Sequence, residues 1–502
     1  MTTTPIAESC GPGQLRTSAE AVQTEAAQGP GNLLVSRYGY YARAAGSALR
    51  ILESVARHGA PRIVIARDRD FGNAFDRGPQ IEQTAEGLPA ISATLAAARQ
   101  RGEPLTIVGA AHSSAGQTLS RCGVRLRLET APGESAVWHD EARIEVPGTW
   151  RWQDAEAAAN EKGRTIPVLT DNLDTTVGGT LSVGGIGTRS VSHGRQVDWV
   201  EALTLVLPDG TVAQCSPSVE PELFASALAG LGQVGVIGRA VIETIPLRPW
   251  VASLVYQIAS LSDGACLVTD GLHRFCQPPT HFEIVGPQIG SRYIHLRLGW
   301  EAESRQAAQL LLARMRRHRL DGASVLRAAR VMSGLAFGQV NVRHVQSYVA
   351  SLRGASHLWN DWFFTDPTGY RQFVAWAERA LLPRLGTHDL VAGFMLCLAR
   401  RPGRPHLPLS YARGGNQQVG HIGLYYSVSP GDGERRKAVC HGLAEAQKAA
   451  RGHGGRLYLY GWHDWREAEW QAEFGADYAQ VLALKRRLDP SFHFNPEVFA
   501  AS

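Results

Sequence analysis

The chain has 502 residues, more than one hydrophobic core usually organises, so two domains or one domain with a large insertion is expected. Hydrophobic residues at 44% and charged residues at 19% describe a soluble globular protein and argue against a disordered or membrane-spanning one. The formal charge of +5 is spread along the chain apart from short groups such as residues 314–319, which excludes the clustered basic face of a nucleic-acid binder. Seven cysteines without CxxC spacing argue against a metal site or a disulfide framework, and a reducing cytoplasm is the expected location. The opening MTTTPIAESCGPGQLRTSAE has neither a basic start nor an apolar run. Residues 1–32 are therefore read as a flexible tail rather than a secretory signal.

A tyrosine-containing stretch and a helix are expected before Pro61, where the globular pattern begins. Residues 87–101 are Ala-rich with apolar residues at helical spacing, which predicts a helix feeding a strand at 105–108. Val124, Leu126 and Leu128 alternate with Arg125, Arg127 and Glu129, the period-two pattern of a half-buried strand. Another strand is expected at 144–146. Residues 152–162 predict a helix stopped by Gly163, and 201–207 with 211–215 predict a hairpin turned by Asp209-Gly210. After residue 248 Trp, His and Tyr become denser and longer helical stretches appear, such as 304–319, so a domain boundary is placed there. The last segment, 488–499, carries Pro490 and Pro496 and reads as an extended tail packing back on another part of the protein. The expected fold class is α+β.

Two segments carry chemistry. GAAHSSAGQT, residues 109–118, follows a strand; small residues on both sides of His112 allow close backbone approach to a ligand, and consecutive N–H groups in such a loop can form an anion nest. Taken alone, His112 reads as a structural or solvated side chain. TVGGTLSVGGIGTRSVSHG, residues 176–194, holds more glycine than a turn needs, with Thr180 and Ser182 as hydroxyl donors between the pairs. It has no GK[ST] ending and no βαβ placement, so it is neither a Walker loop nor a dinucleotide fingerprint. A flexible glycine linker is the competing reading, opposed by the interspersed Val177, Leu181, Val183 and Ile186. Asp171, in a TDN stretch, suits either an Asx-turn or an active-site acid.

Together these segments resemble the FAD-linked oxidases of the vanillyl-alcohol oxidase type, the PCMH-type FAD-binding superfamily, and within it the cytokinin dehydrogenase branch. The matching stretches are DFGN at 70–73, GAAHSSAGQ at 109–117, VLTDNLDTTVGGTLSVGGIG at 168–187, SHGRQVDWVEALTLVLPDG at 192–210 and PELFASALAGLGQVGVIGRA at 221–240. They cover nearly all of residues 63–248, and LDPSFHFNPEVF is similar to the family's C-terminal return segment.

The resemblance implies a two-domain fold: an FAD-binding domain at 33–248, an α+β substrate-binding cap domain at 249–475 and a segment at 476–502 returning to the first domain. It implies that His112 bonds covalently to the 8α-methyl carbon of FAD, within a cofactor loop containing Gly109, Ala110, Ala111, Ser113 and Gln117. Thr170, Asp171, Thr176, Gly178, Gly179, Thr180, Ser182 and Gly185 fall to the second cofactor segment, Ile237 to the adenine side and Asn495 to the tail. Asp171 is implied as the catalytic acid that accepts a hydrogen bond or proton from the substrate, and Glu283 as a second acidic residue near it. His357, Trp359, Asn360, Trp362 and Phe363 in SHLWNDWFF form an aromatic and polar cluster that suits a pocket lining or a core and domain interface equally. Three departures stand out: Ala occupies two positions of the usual Gly-Arg-Gly-His-Ser stretch, Gly238 replaces a frequent Thr, and the absence of Cys at 168–187 removes a second, cysteinyl flavin bond.

The implied activity is an oxidase or dehydrogenase that removes a hydride from carbon beside an amine or alcohol, with oxygen or another electron acceptor. A specialised-metabolite tailoring enzyme performing oxidation or oxidative cyclisation is the alternative within enzymes, and a non-catalytic flavin-binding protein the alternative outside them. Expected partners are a small-molecule substrate and no nucleic acid, membrane or metal; the expected assembly is a monomer or homodimer.

Overall fold

A computed structural model describes residues 63–66, 70–75, 80–120, 124–272, 275, 277–288, 293–317, 325–338, 354–386, 389–399, 401–412 and 419–499. The tail expected at 1–32, the helix expected before Pro61 and the end of the helix expected at 304–319 lie outside them.

The first sheet contains β1 (Ile63–Ala66), β2 (Gln80–Glu86), β3 (Leu105–Val108) and β4 (Val124–Glu129), in the order β1-β2-β4-β3. Helix α1 (Gly87–Arg101) leads into β3 and ends at Gly102, which adopts φ 62°. Strand β4 is not half-buried as its alternation predicts. It lies between two parallel neighbours, and Arg125 is buried opposite its register partner Glu82, with Nη2 3.4 Å from that carboxylate. Arg127 reaches the same carboxylate at 2.6 Å. The period-two pattern is a paired-charge pattern, not a solvent face, because a buried arginine needs a partner.

Next come β5 (Val137–Trp138), β6 (Arg143–Pro147), β7 (Arg164–Thr165), β8 (Val200–Val206), β9 (Val212–Cys215), β10 (Val236–Glu243) and β11 (Ile245–Pro246). Five form an antiparallel sheet in the order β5-β6-β10-β8-β9, and β7 pairs with β11. The β8–β9 hairpin turns through Gly210 at φ 87°, where a Cβ would meet Ser92 O at 2.5 Å. Helices α2 (Trp152–Asn160) and α3 (Val177–Leu181) pack on this sheet.

The largest sheet has eight strands: β12 (Trp250–Ile258), β13 (His281–Gln288), β14 (Ile294–Ala302), β15 (Val325–Ser333), β16 (Ser356–Phe364), β17 (Leu390–Leu398), β18 (Val419–Val428) and β19 (Gly455–Leu457). Their order is β15-β12-β14-β13-β17-β18-β16-β19, antiparallel throughout. Leu254, Trp300, Trp362, Tyr370, Phe373 and Leu424 belong to its core. On the expected 304–319 helix, the described part runs Arg305–Met315 and is capped by Ser304, whose side chain accepts from Ala307 N.

The C-terminal tail docks on the free edge of β3. Leu105 N donates to His493 O at 2.7 Å, Asn495 N donates to Leu105 O at 2.8 Å, and Phe494 is fully buried among Leu95, Leu105 and Leu126. An edge strand is thus covered instead of left open to pairing. Among the described residues, no helix is long and apolar enough to cross a membrane, and no group of three or more His, Cys, Asp or Glu is placed to hold a metal.

Candidate active site

A cavity of about 740 Å³ runs between the glycine-rich loops and the eight-stranded sheet. Its volume lies in the range of small-molecule and cofactor sites. The two loops meet in it: a Cβ added at Gly109 would stand 2.5 Å from Thr176 Oγ1. Ala111 holds φ 55°, an unusual backbone conformation for a residue with a side chain. The DFGN stretch supports this loop from behind. Asp70 accepts from Gly116 N at 2.9 Å and Ala74 N at 3.3 Å, and Phe71 N donates to Ser113 O at 3.2 Å.

The second segment is not a flexible linker. Thr176 caps α3 by accepting from Gly179 N at 3.3 Å, and Val177 and Leu181 are fully buried. Trp152 Nε1 donates to Thr180 Oγ1 at 2.9 Å, which pins the short helix to α2. Beneath it three stretches of backbone lie in close contact: Gly178 N donates to Gly148 O and Gly148 N to Gly238 O, each at 2.7 Å. A Cβ at Gly148 would overlap Ile237 O at 1.9 Å, and one at Gly238 would meet Leu88 Cδ1 at 2.3 Å. Packing therefore accounts for the glycine at 238.

The structure brings together Gly109, Ala110, Ala111, His112, Ser113, Gln117, Thr170, Asp171, Thr176, Gly178, Gly179, Thr180, Ser182, Ile237, Glu283 and Asn495 along the cavity wall. Gly185 is the exception. It faces away, at φ 47°, where a Cβ would stand 1.8 Å from Gln196 Oε1; its glycine serves packing rather than a ligand. Gln117 and Asn495 have polar atoms engaged by the protein: Gln117 Nε2 donates to Leu459 O at 3.0 Å, and Asn495 bridges Ile107 N and Gly232 O at 2.7 Å each.

His112 stacks on Phe71 with ring centroids 3.9 Å apart. Burial disfavours its charged form and lowers its pKa to about 4, so the ring is neutral at ordinary pH. Asn172 Oδ1 accepts from Asp174 N at 3.0 Å, which turns the amide nitrogen toward His112 Nε2 at 2.8 Å. The Asx-turn of the TDN stretch is therefore made by Asn172, leaving Asp171 to the cavity.

Burial, reinforced by the charge of Glu283 and opposed by Arg297, raises the Asp171 pKa to about 7. A carboxyl poised there can exchange protons near neutrality. Glu283 is itself buried and paired with Arg297 Nη1 at 2.6 Å, its register partner across β13 and β14. Arg297 Nη2 also donates to Phe337 O at 2.7 Å. Glu283 thus acts on Asp171 as a compensated neighbour and is not itself an open base.

The cluster at 357–363 resolves by strand parity. On β16, Trp359 and Asp361 line the cavity, while Leu358 and Trp362 enter the core and Trp362 Nε1 donates to Gln447 at 2.7 Å. Sequence reasoning missed Phe71, Asn172, Asp361, Phe394, His421, Tyr425, Tyr458 and Tyr460, all on the cavity wall. DFGN pointed to the first. Asn172 stands beside Asp171 in the TDN stretch and Asp361 within 357–363; the rest sit on strands or turns distant in sequence, where no local spacing marks them.

The cavity's chemistry suits FAD: small residues and backbone form one end, Val236 and Ile237 offer an apolar surface, and His112 and Asp171 stand among polar and aromatic groups. Residues 81–216 match the FAD binding domain family. The chain is 36% identical over 192 residues to an uncharacterized oxidoreductase of the fasciation locus of Rhodococcoides fascians, covering 38% of this chain and 43% of that protein. It is 35% identical over 206 residues to cytokinin dehydrogenase 1 of Oryza sativa subsp. japonica, covering 39% and 38%, and 31% identical over 215 residues to cytokinin dehydrogenase 4 of Arabidopsis thaliana, covering 39% and 41%. The chain thus matches about two fifths of the length of these relatives. The FAD binding domain match and these relatives, over the part of the chain they cover, fit the PCMH-type FAD-binding oxidase superfamily near the cytokinin dehydrogenase branch.

Proposed function

We propose that this protein is an FAD-dependent oxidoreductase that oxidises a carbon beside an amine or alcohol, with Asp171 as the proton acceptor and His112 as the covalent tether. The observation that carries this reading is the convergence of His112, Asp171 and both small-residue loops on one cavity. Bound flavin supplies the acceptor for a hydride. Asp171 takes the proton from the adjoining N–H or O–H; burial, with Glu283 adding to it and Arg297 opposing it, holds its proton affinity near neutrality. His112, stacked on Phe71 and held at Nε2 by Asn172, is neutral, the protonation state that a covalent bond to flavin requires. Oxygen or another acceptor would take up the electrons that bound flavin received. In this reading residues 33–248 hold FAD, 249–475 supply the substrate wall and 476–502 return to the cofactor side; the protein works in the cytoplasm.

Oxidation of a substrate other than a cytokinin, as in specialised-metabolite tailoring, has one observation in its favour. The family match ends at residue 216, before every strand of the sheet that carries Glu283, Trp359, Asp361 and Tyr425. The test begins with purified protein under anaerobic conditions and a panel of amines, alcohols and isoprenoid adenines. Bleaching of the flavin absorbance by a panel member is the expected result; no bleaching by any of them refutes the oxidation. Turnover of isoprenoid adenines alone refutes the tailoring reading. After acid precipitation, flavin should stay with the wild-type pellet and pass to the supernatant with His112→Ala; wild-type flavin in the supernatant refutes the tether.

A further inference from the structure

The substrate wall contains a second polar array, distinct in its hydrogen bonds from Asp171 though near enough for the charge of Asp171 to act on Tyr425. Asp361 on β16 is 1% exposed and accepts from His421 Nε2 at 2.7 Å and from Tyr425 OH at 3.0 Å to each carboxylate oxygen. His421 Nδ1 accepts from Leu396 N at 3.1 Å, so the ring proton resides on Nε2 and the imidazole is neutral. Among the described residues, the hydrogen bonds to Asp361 therefore come from neutral donors.

Proton counting then orients the chain. A carboxylate only accepts, so the single proton of Tyr425 is committed to Asp361. The Tyr460 hydroxyl is hydrogen-bonded to that of Tyr425 and also interacts with Asp361, so with the Tyr425 proton spent both partners of Tyr460 within the array are acceptors. The hydroxyl proton of Tyr460 is thereby used as well. Its oxygen has only lone pairs left to offer a ligand, polarised through Tyr425 by a buried carboxylate. Burial, aided by the negative charge of Asp361, holds both phenols well above their ordinary pKa, so they remain hydroxyls. Tyr425 and Tyr460 are half-buried and line the cavity together with the more deeply buried Asp361 and His421. Trp359 lies 5.4 Å from Tyr425 and 6.2 Å from Tyr460 between ring centroids, and Phe394 meets the edge of Tyr425 at 4.9 Å.

We propose that Tyr460 is the docking acceptor for the substrate's hydrogen-bond donor, with Tyr425, Asp361 and His421 as positioning residues that keep its oxygen an acceptor. The proposal deepens the oxidoreductase reading and rests on it for the identity of the cavity as a substrate site. It defines the substrate class as a molecule with an N–H or O–H donor beside a flat apolar body. Carboxylates and other anions are disfavoured because Asp361 and Asp171 face the same space.

The test uses the flavin-loaded protein and two inert probes, phenol and fluorobenzene, with binding measured by calorimetry. The probes are close in size, only phenol donates a hydrogen bond, and neither has a removable hydride beside a donor. Phenol is expected to bind about tenfold tighter, the value of one good hydrogen bond. The preference should fall to within about threefold in Tyr460→Phe, and decline in Tyr425→Phe, both of which keep the aromatic packing. An equal affinity of wild-type protein for both probes overturns the proposal. So does a preference that survives Tyr460→Phe and disappears in Asp171→Asn, which would move the docking point to Asp171. Should Tyr460→Phe lose flavin or fail to fold, Tyr425→Phe decides, because an unchanged preference there also overturns it. Binding needs no turnover: donor preference in a protein whose flavin no substrate reduces refutes the oxidation and leaves the docking site standing.

Discussion

The two walls of the cavity are built by different means. On the cofactor side, backbone approaches backbone: Gly148, Gly178 and Ile237 are packed so closely that a single Cβ at 148 has no room. Across the cavity, long side chains projecting from strands are held by charge and hydrogen bonding, as in Glu283 with Arg297 and Asp361 with His421 and Tyr425. A backbone-built wall tolerates little change in shape and so keeps one ligand. A wall of side chains can be refitted strand by strand without disturbing the sheet. Under the proposed function, the difference gives constancy to the cofactor side and substrate choice to the sheet.

The largest effect should come from the acid between the walls. Asp171→Asn retains shape and removes the proton acceptor, and general-base contributions of this kind are about 10²–10⁴-fold in rate. Its carboxyl must be ionised to accept a proton, and with a pKa raised to about 7 the rate should climb as pH rises through neutrality. Glu283→Gln removes a like charge beside it and lowers that pKa, so the rising limb should move to lower pH. Stopped-flow flavin reduction across pH 5–9 reads both. A limb unchanged by Glu283→Gln would show that the side-chain wall does not tune the acid.

Gly148→Ala tests the opposite wall. The added methyl meets Ile237 O at 1.9 Å, and because the obstacle is backbone, relief requires moving β10 or the turn after β6. The expected cost is about 3 kcal/mol, measured by denaturant unfolding and accompanied by loss of bound flavin. The same substitution at Gly452, where a Cβ meets nothing within 4 Å, serves as the control. Equal behaviour of the two variants would remove the distinction between close-packed and open glycines.

The contrast between walls also explains what could be read in advance. Helix α1, β3, the β8–β9 hairpin and the two small-residue loops are local patterns, and a cavity formed from contiguous loops exposes its ingredients in one stretch, as at 109–118 and 168–187. Gly185 misled because glycine density cannot distinguish a position facing a ligand from one facing Gln196. Arg125 misled because alternation does not reveal that the strand has neighbours on both edges. Tyr460, Tyr425, His421 and Asp361 come from β16, β18 and the turn after β19, and their partnership is created by the order β18-β16-β19. Strand order is not a local property of sequence. Trp359 and Asp361 were separable from Leu358 and Trp362 only once the face of β16 was known.

The smallest effect concerns an exception on the cofactor side, where charge does the holding. Asp489 is fully buried and binds Lys485 Nζ at 3.0 Å, His493 Nδ1 at 2.5 Å and Phe494 N at 3.0 Å, fixing the turn that delivers Asn495 to the cavity. Burial alone would raise its pKa; the His493 hydrogen bond, the Lys485 charge and the Phe494 N–H outweigh burial and lower it from 3.8 to about 2. The folded pKa lies below the unfolded one, so the resulting stability is present above about pH 4 and is lost as pH falls through 2. The shift corresponds to roughly 2 kcal/mol. Melting curves from pH 7 down to pH 2 should show a steeper acid decline for wild type than for Asp489→Asn, which lacks the titrating group and is weaker already at pH 7. Parallel declines would mean that the tail is held by Phe494 and its apolar neighbours alone, and the cofactor wall would then be backbone and packing throughout.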